Sequence, residues 1–252
     1  APFARHRQRL LDRLAALDDA QWAAPSRCDA WAVRDVVAHL TTVDDFWVGS
    51  ITAGLAGEPT RVLTRFDPVA TPPLLVATVG DLAPAELLER FVASSATLLD
   101  LVAGLSGDDW SALGESPAGH VPVRFVVQHA LWDGWVHERD VLLPLGLDAV
   151  EDPTEVATCL RFAAAISPVL GLGLGRSVPG VLGIEATGPD LRLTIEVDDR
   201  VRVAHGDPAG RPTLRGGAVA LVEALSLRTP MPATAPEEWT ALLAGLETAF
   251  DA

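Results

Sequence analysis

The sequence predicts an α+β protein, an N-terminal four-helix bundle (residues 1–146) followed by a small α+β domain (residues 147–252). Apolar residues recur at helical spacing through the first part, whereas Leu191, Leu193, Ile195 and Val197 alternate with polar residues, the period of a strand. Composition also shifts after Gly146, and a chain of 252 residues with 49% apolar content is long for one domain. Leu10, Leu11, Leu14 and Leu17 make the stripe of a first helix. After a turn at Pro25–Asp29, a second helix is expected to open at Asp29 or Trp31, to bury Val33, Val36, Val37, Leu40 and Val43, and to end near Gly54 or Gly57. Residues 59–83 read as a long irregular connection. Pro84 suits the first position of a third helix carrying Leu87, Leu88, Phe91, Leu98, Leu99 and Val102, with Glu86 and Glu89 at the positive end of its dipole. Gly114–Gly119 reads as a loop, and Pro122 starts a fourth helix that stops before Pro144.

In the second part, a helix from about Pro153 to Leu170 leads into a glycine-rich stretch, Gly171–Gly183. A hairpin turning at Asp198-Asp199 and a strand near Pro212–Arg215 follow, with closing helices over Ala218–Leu227 and Pro236–Phe250.

The formal net charge is −15, spread along the chain, and such a surface repels phosphate backbones; no nucleic-acid partner is expected. All 19 basic residues other than histidine are arginine, and there is neither lysine nor tyrosine. Schiff-base, Walker-lysine and phenolate chemistries are thereby excluded. Cys28 and Cys159 fit no zinc-knuckle or CxxC spacing and read as buried free thiols in a reducing compartment. Ala1–Arg13 has no uninterrupted apolar stretch of signal-peptide type. The most apolar stretch, Phe162–Leu174, is broken by Pro168, Gly171 and Gly173 and reads as too short to span a bilayer. A cytoplasmic protein with no membrane partner is expected. Asp44-Asp45, Asp108-Asp109 and Asp198-Asp199 read as solvated caps or turns, and Gly171-x-Gly173-x-Gly175 follows a helix rather than the strand a nucleotide loop needs.

The chemistry concentrates in the fourth helix. His129, Asp133 and His137 stand four residues apart, so they form one polar column on one face. Apolar neighbours Val126, Val127, Leu131, Trp132 and Val136 imply burial, and buried imidazoles and carboxylates need partners. One solution is a hydrogen-bonded ladder. The other is a metal, since Asp133 and His137 on adjacent turns can reach one ion. His39, among Val36, Val37, Ala38 and Leu40 of the second helix, is either a satisfied core residue or the third ligand. Two nitrogens and a carboxylate leave open positions, as catalytic sites require. His129 would then orient Asp133 or serve structure alone. Trp31, Trp47, Trp132 and Trp135 are core, or wall a substrate cavity.

Trp22 with Pro25-Ser26-Arg27-Cys28-Asp29-Ala30-Trp31, and then Val33-Arg34-Asp35-Val36-Val37-Ala38-His39-Leu40, resembles the opening of mycothiol-dependent maleylpyruvate isomerase-like proteins. Those are members of the DinB-like superfamily of metal-binding four-helix bundles. Asp133-Gly134-Trp135-Val136-His137-Glu138-Arg139-Asp140 resembles that family's Glu-x-x-x-His-x-x-Asp helix, with Asp133 where the family usually has Glu. The likeness covers roughly residues 5–146 and implies His39, Asp133 and His137 as metal ligands. The shorter carboxylate implies a metal closer to the fourth helix or more weakly held. More faintly, Pro212–Gly217 and Leu221–Pro230 resemble the strand–helix–Arg-x-Pro ending of a sterol-carrier-like C-terminal domain. That likeness makes Arg228 a catalytic candidate, beside its plain reading as a helix-end charge; Arg215 is a weaker one.

The resemblance implies an actinobacterial enzyme that uses a divalent metal, zinc by its donor set, and mycothiol. The thiol would add to an acidic, electrophilic small molecule, giving cis–trans isomerisation or S-transfer. Cys28, in the turn, is expected to stand apart from this chemistry. A non-catalytic ligand-binding protein, or a relative recruited to thiol-independent biosynthesis, are the alternatives. A monomer or homodimer is expected.

Overall fold

The computed structural model describes residues 1–65 and 71–247. The chain divides into two compact units, Ala1–Ala149 and the residues from Val150 onward. Overall it is α+β: a helical N-terminal part and a sheet-containing C-terminal part.

Four long helices make the first unit: α1 (Pro2–Ala15), α3 (Val33–Leu55), α5 (Pro84–Gly104) and α6 (Val123–Leu142). A single turn, α2 (Asp19–Trp22), precedes α3, and a short α4 (Thr71–Ala77) precedes α5. α3 packs against α5 and α6, and α1 packs against the same two. Leu10, Leu14, Val33, Val36, Val37, Leu40, Leu87, Phe91 and Leu142 fill the core between them. Val43 is only half-buried.

Several boundaries differ from the sequence reading, each for a local reason. α3 opens at Val33 and not at Asp29 or Trp31, because residues 25–32 fold into a closed turn. Ser26 N donates to Trp31 O, Trp31 N to Cys28 O, and Asp35 Oδ2 caps the helix by accepting from Ala32 N at 2.9 Å. The connection after Gly57 is more ordered than expected: α4 buries Val76, and Arg34 anchors Gly80 O and Leu82 O. Residues 66–70 lie outside the described part. The expected loop at Gly114–Gly119 is a hairpin, β1 (Leu113–Ser116) and β2 (Gly119–Pro122). It lies so close to α3 that a Cβ on Gly54 would overlap the Leu113 carbonyl oxygen. Glu115 ties the preceding segment to it, accepting from Thr60 Oγ1 at 2.7 Å and from the N–H groups of Val62 and Leu63.

In the second unit α7 (Pro153–Gly173) and α8 (Ala218–Leu225) pack on a four-stranded sheet, and α9 (Glu237–Leu243) packs on α7. The sheet comprises β3 (Gly180–Thr187), β4 (Leu191–Val197), β5 (Val201–His205) and β6 (Thr213–Gly217), in the order β5-β4-β3-β6. β3, β4 and β5 form an antiparallel meander, and β6 returns parallel to β3. Leu182, Ile184, Leu193, Ile195 and Leu214 are fully buried, as are Leu160, Ala163 and Leu221 of the covering helices.

β3 is a central strand that begins inside the glycine-rich stretch, where no strand was expected. Gly183 is needed for close approach: a Cβ there would collide with the Pro208 side chain and lie 3.0 Å from Thr213 Oγ1. α7 also runs further than expected, through Pro168 and Gly171 to Gly173. With 21 residues and a mean hydropathy of 1.6 in its most apolar window, it is long and apolar enough to cross a membrane, contrary to the length argument. Over half of that window, 56%, is buried within the protein, so its apolarity serves the core. α9 ends at Leu243; the expected helix end, Phe250, lies outside the described residues.

Candidate metal centre

α6 is buried almost all round, and its two faces carry different polar clusters. The face bearing His129, Asp133 and His137 meets α3, and His39 projects into the same place. His137 Nε2 lies 3.6 Å from Asp133 Oδ1, and His39 Nε2 lies 3.8 Å from Asp133 Oδ2. The His39 and His137 rings stand edge to face, 5.0 Å apart. One donor atom from each of the three residues falls within 4.8 Å of the others, a set that could hold one ion. The structure therefore brings together His39, Asp133 and His137.

Asp140, one turn beyond His137, accepts hydrogen bonds through both oxygens. Its Oδ2 accepts from His137 Nδ1 at 3.0 Å and from the Cys28 thiol at 3.4 Å, while its Oδ1 accepts from Arg27 Nε at 3.0 Å. A carboxylate can only accept, so Nδ1 of His137 carries the hydrogen and Nε2 is the atom presented to Asp133. This is the arrangement in which metal-binding histidines are held by an outer carboxylate. Burial opposes the charge on His137, but Asp140, Cys28 and Asp133 together raise its pKa to about 10. Burial likewise opposes ionisation of Asp133, yet the adjacent His39, then His137 and His129, hold it well below the usual carboxylate range. Ionised carboxylates around an imidazole that holds its proton mark a place where the fold favours positive charge. Two nitrogens and one oxygen donor suit a divalent ion such as zinc, so the residues fit the group.

His129 lies on the same column but in apolar company. Its ring sits 4.7 Å from Trp47 and 5.5 Å from Trp132, and burial lowers its pKa to about 4. Trp31 covers the other side, its ring 5.2 Å from His39. Trp135 instead packs under the Arg139 guanidinium at 4.9 Å.

On the face of α6 turned toward α1, Gly134 leaves room: a Cβ there would lie 3.0 Å from His6 Cε1. Beside it Glu138 receives Arg9 through Nε and Nη2, each at 3.1 Å, and His6 Nε2 lies 3.2 Å away. Asp44, expected to be solvated, is buried, and accepts from Arg7 Nη2 at 2.9 Å and Ser95 Oγ at 2.8 Å. Burial nevertheless lifts its pKa to about 6. Sequence reasoning missed this second network because its members are spread over α1, α3, α5 and α6. Cys28 lies near the cluster in space, its sulfur 3.9 Å from His137 Nδ1.

Arg228 belongs to the second unit, just past α8. Leu227 adopts a left-handed backbone, φ 58°, the position glycine usually takes at a helix end. Arg228 N then donates back to Glu223 O at 2.8 Å, and Leu227 N to Ala224 O at 3.1 Å. With Thr229, Met231 and Thr240, Arg228 lines a cleft of about 390 Å³. Arg215 lies on the sheet, its Nε 2.7 Å from Glu185 Oε2.

A helical bundle with two histidines and an aspartate converging between two helices, joined to a small α+β unit, defines the class. The chain belongs to the mycothiol maleylpyruvate isomerase N-terminal domain family, whose pattern matches residues 3–142. The fold resembles a crystal structure of mycothiol-dependent maleylpyruvate isomerase at a TM-score of 0.61 and 17% identity, covering 88% of this chain and 85% of that one. A histidine-to-alanine mutant of that isomerase gives 0.60 and 16% identity over the same shares. No curated protein sequence matches the chain.

Proposed function

We propose that this protein is a metal-dependent enzyme that activates mycothiol for addition to an acidic, electrophilic small molecule. Release of the thiol after bond rotation is cis–trans isomerisation, and its retention is S-transfer. The observation that carries this reading is the convergence of His39, Asp133 and His137, with the Nε2 face of His137 fixed by Asp140. A divalent ion held by these three residues supplies a positive charge that lowers the pKa of a thiol at neutral pH. Asp140 and Arg27 keep His137 from rotating. Trp31 packs beside His39, and Trp47 beside His129. Mycothiol and the isomerase class come from the family of the N-terminal unit and from the mycothiol-dependent isomerase whose fold this chain resembles. The chain needs no nucleophile of its own, in keeping with its lack of lysine.

Arg228 is the candidate for binding a substrate carboxylate, through two parallel N–H bonds that lysine cannot reproduce. The cleft around it favours a second reading, in which the second unit holds a small ligand without catalysis. Metal-loaded protein incubated with mycothiol and maleylpyruvate separates the two. Turnover that requires both thiol and metal, is abolished in His39→Ala, and falls roughly 30- to 1000-fold in Arg228→Lys supports the enzyme. No turnover by metal-replete protein refutes it for this substrate class, and conversion without thiol refutes the role of mycothiol.

A further inference from the structure

His137 meets a second group of donors on its other edge. Cys28 Sγ, His137 Nδ1 and Asp140 Oδ2 form a triangle with sides of 3.9 Å (S to N), 3.4 Å (S to O) and 3.0 Å (N to O). Ordinary zinc bond lengths in tetrahedral geometry require sides of roughly 3.6 Å where sulfur is involved and about 3.4 Å between nitrogen and oxygen. The triangle departs from one face of such a tetrahedron by only a few tenths of an ångström.

We propose that Cys28, His137 and Asp140 form a second cation site, one that takes a thiophilic divalent ion such as cadmium or cobalt. Protons now hold these atoms together: the thiol and Nδ1–H both point at Asp140 Oδ2. An incoming ion takes their place, binding thiolate, Nδ1 and Oδ2, and releases both protons to solvent. The surroundings are already fixed. Arg27 Nε holds Asp140 Oδ1 at 3.0 Å, Arg27 N binds Asp140 O at 3.0 Å, and Ser26 Oγ receives Cys28 N at 3.0 Å. Cys28 is half-buried and is followed by exposed Asp29 and Ala30, so an ion can reach it from solvent. The thiolate distinguishes this site from the nitrogen–oxygen set around Asp133 and favours softer ions. Occupation also removes the Nδ1–H bond that orients His137, so a thiophilic ion here works against the first cluster. The site does not require that cluster to hold metal.

Cobalt titration of the intact chain tests this. Wild type and His39→Ala should both develop the near-ultraviolet thiolate-to-cobalt charge-transfer band. Cys28→Ser should lose it, and Cys159→Ser should keep it. A band missing from His39→Ala, or surviving in Cys28→Ser, overturns the site. A second measurement needs no variant: saturating cadmium should slow alkylation of Cys28 by iodoacetamide at least about tenfold, as expected for a ligated thiolate. An unchanged alkylation rate overturns the proposal as well.

Discussion

Replacing Asp133 by asparagine keeps volume nearly constant while removing one negative charge and turning one oxygen into an amide nitrogen that cannot ligate. The wild-type oxygens stand 3.6 Å from His137 Nε2 and 3.8 Å from His39 Nε2. A tetrahedral zinc site has nitrogen–oxygen edges of roughly 3.4 Å, so aspartate already spans the gap the ion requires. Two unit charges about 4 Å apart, at an effective dielectric near 20, already interact by about 4 kcal/mol, and a directly bound divalent ion, at about 2 Å, interacts more strongly. Part of that is offset, because Asp133 also stabilises the proton that His137 holds in the metal-free chain. A net loss of about 2–3 kcal/mol is expected, or roughly 30- to 160-fold in metal affinity. Competition with a chromophoric chelator at pH 7.5 measures it. Affinity of Asp133→Asn within threefold of wild type would show that Asp133 is no ligand. Asp133→Glu is the stricter test of geometry. Its extra methylene drives the carboxylate toward His39, so affinity should fall here as well; tighter binding would refute the match of aspartate to this cavity.

Asp140→Asn leaves two donors, Arg27 Nε and His137 Nδ1, facing a group with one oxygen. Metal affinity should drop about 10- to 100-fold, the usual effect of losing an outer partner, in the same competition assay. His129 stays neutral in the fold down to about pH 4, whereas in the unfolded chain it takes a proton near pH 6.5. The unfolded state therefore binds more protons in that window, and stability falls as pH drops through it, by about 3 kcal/mol in all. Urea melts at pH 7 and 4.5 should show His129→Phe losing less than wild type over this interval; parallel losses would count against the buried neutral imidazole. Gly54→Ala gains about 1 kcal/mol of helix propensity but drives a methyl into the Leu113 carbonyl, an overpacking cost of about 1–3 kcal/mol. A lower Tm is expected, and a higher one would mean the hairpin is not seated on α3.

What the sequence could determine follows from local periodicity and composition. The helical stripes of Leu10 and Leu14, Val33 to Leu40, and Leu87 to Leu98 predict the bundle, and the alternation of Leu191 to Val197 predicts a strand. Each signal arises from one face of an element meeting a core, and both survive in the structure. The column His129–Asp133–His137 was equally legible, since four-residue spacing sets a helix face without reference to the rest of the fold.

Tertiary structure decided everything that depends on atoms distant in sequence. β3 was not expected because Gly180 and Gly183 weaken the strand pattern; only the approach of Pro208 shows why glycine is required at Gly183. Asp44 read as solvated until Arg7 and Ser95, 37 and 51 residues away, enclosed it. Cys28 lies 109 residues from His137, and nothing in its local sequence reports that contact. A side chain's own neighbours fix its helix face or strand face, but its charge state and partners depend on which elements the core brings against it. That is why the candidate residues of α6, with Asp140 one turn beyond His137, could be named from the sequence, while the thiol beside them could be placed only by the packing of residues 25–32 onto α6.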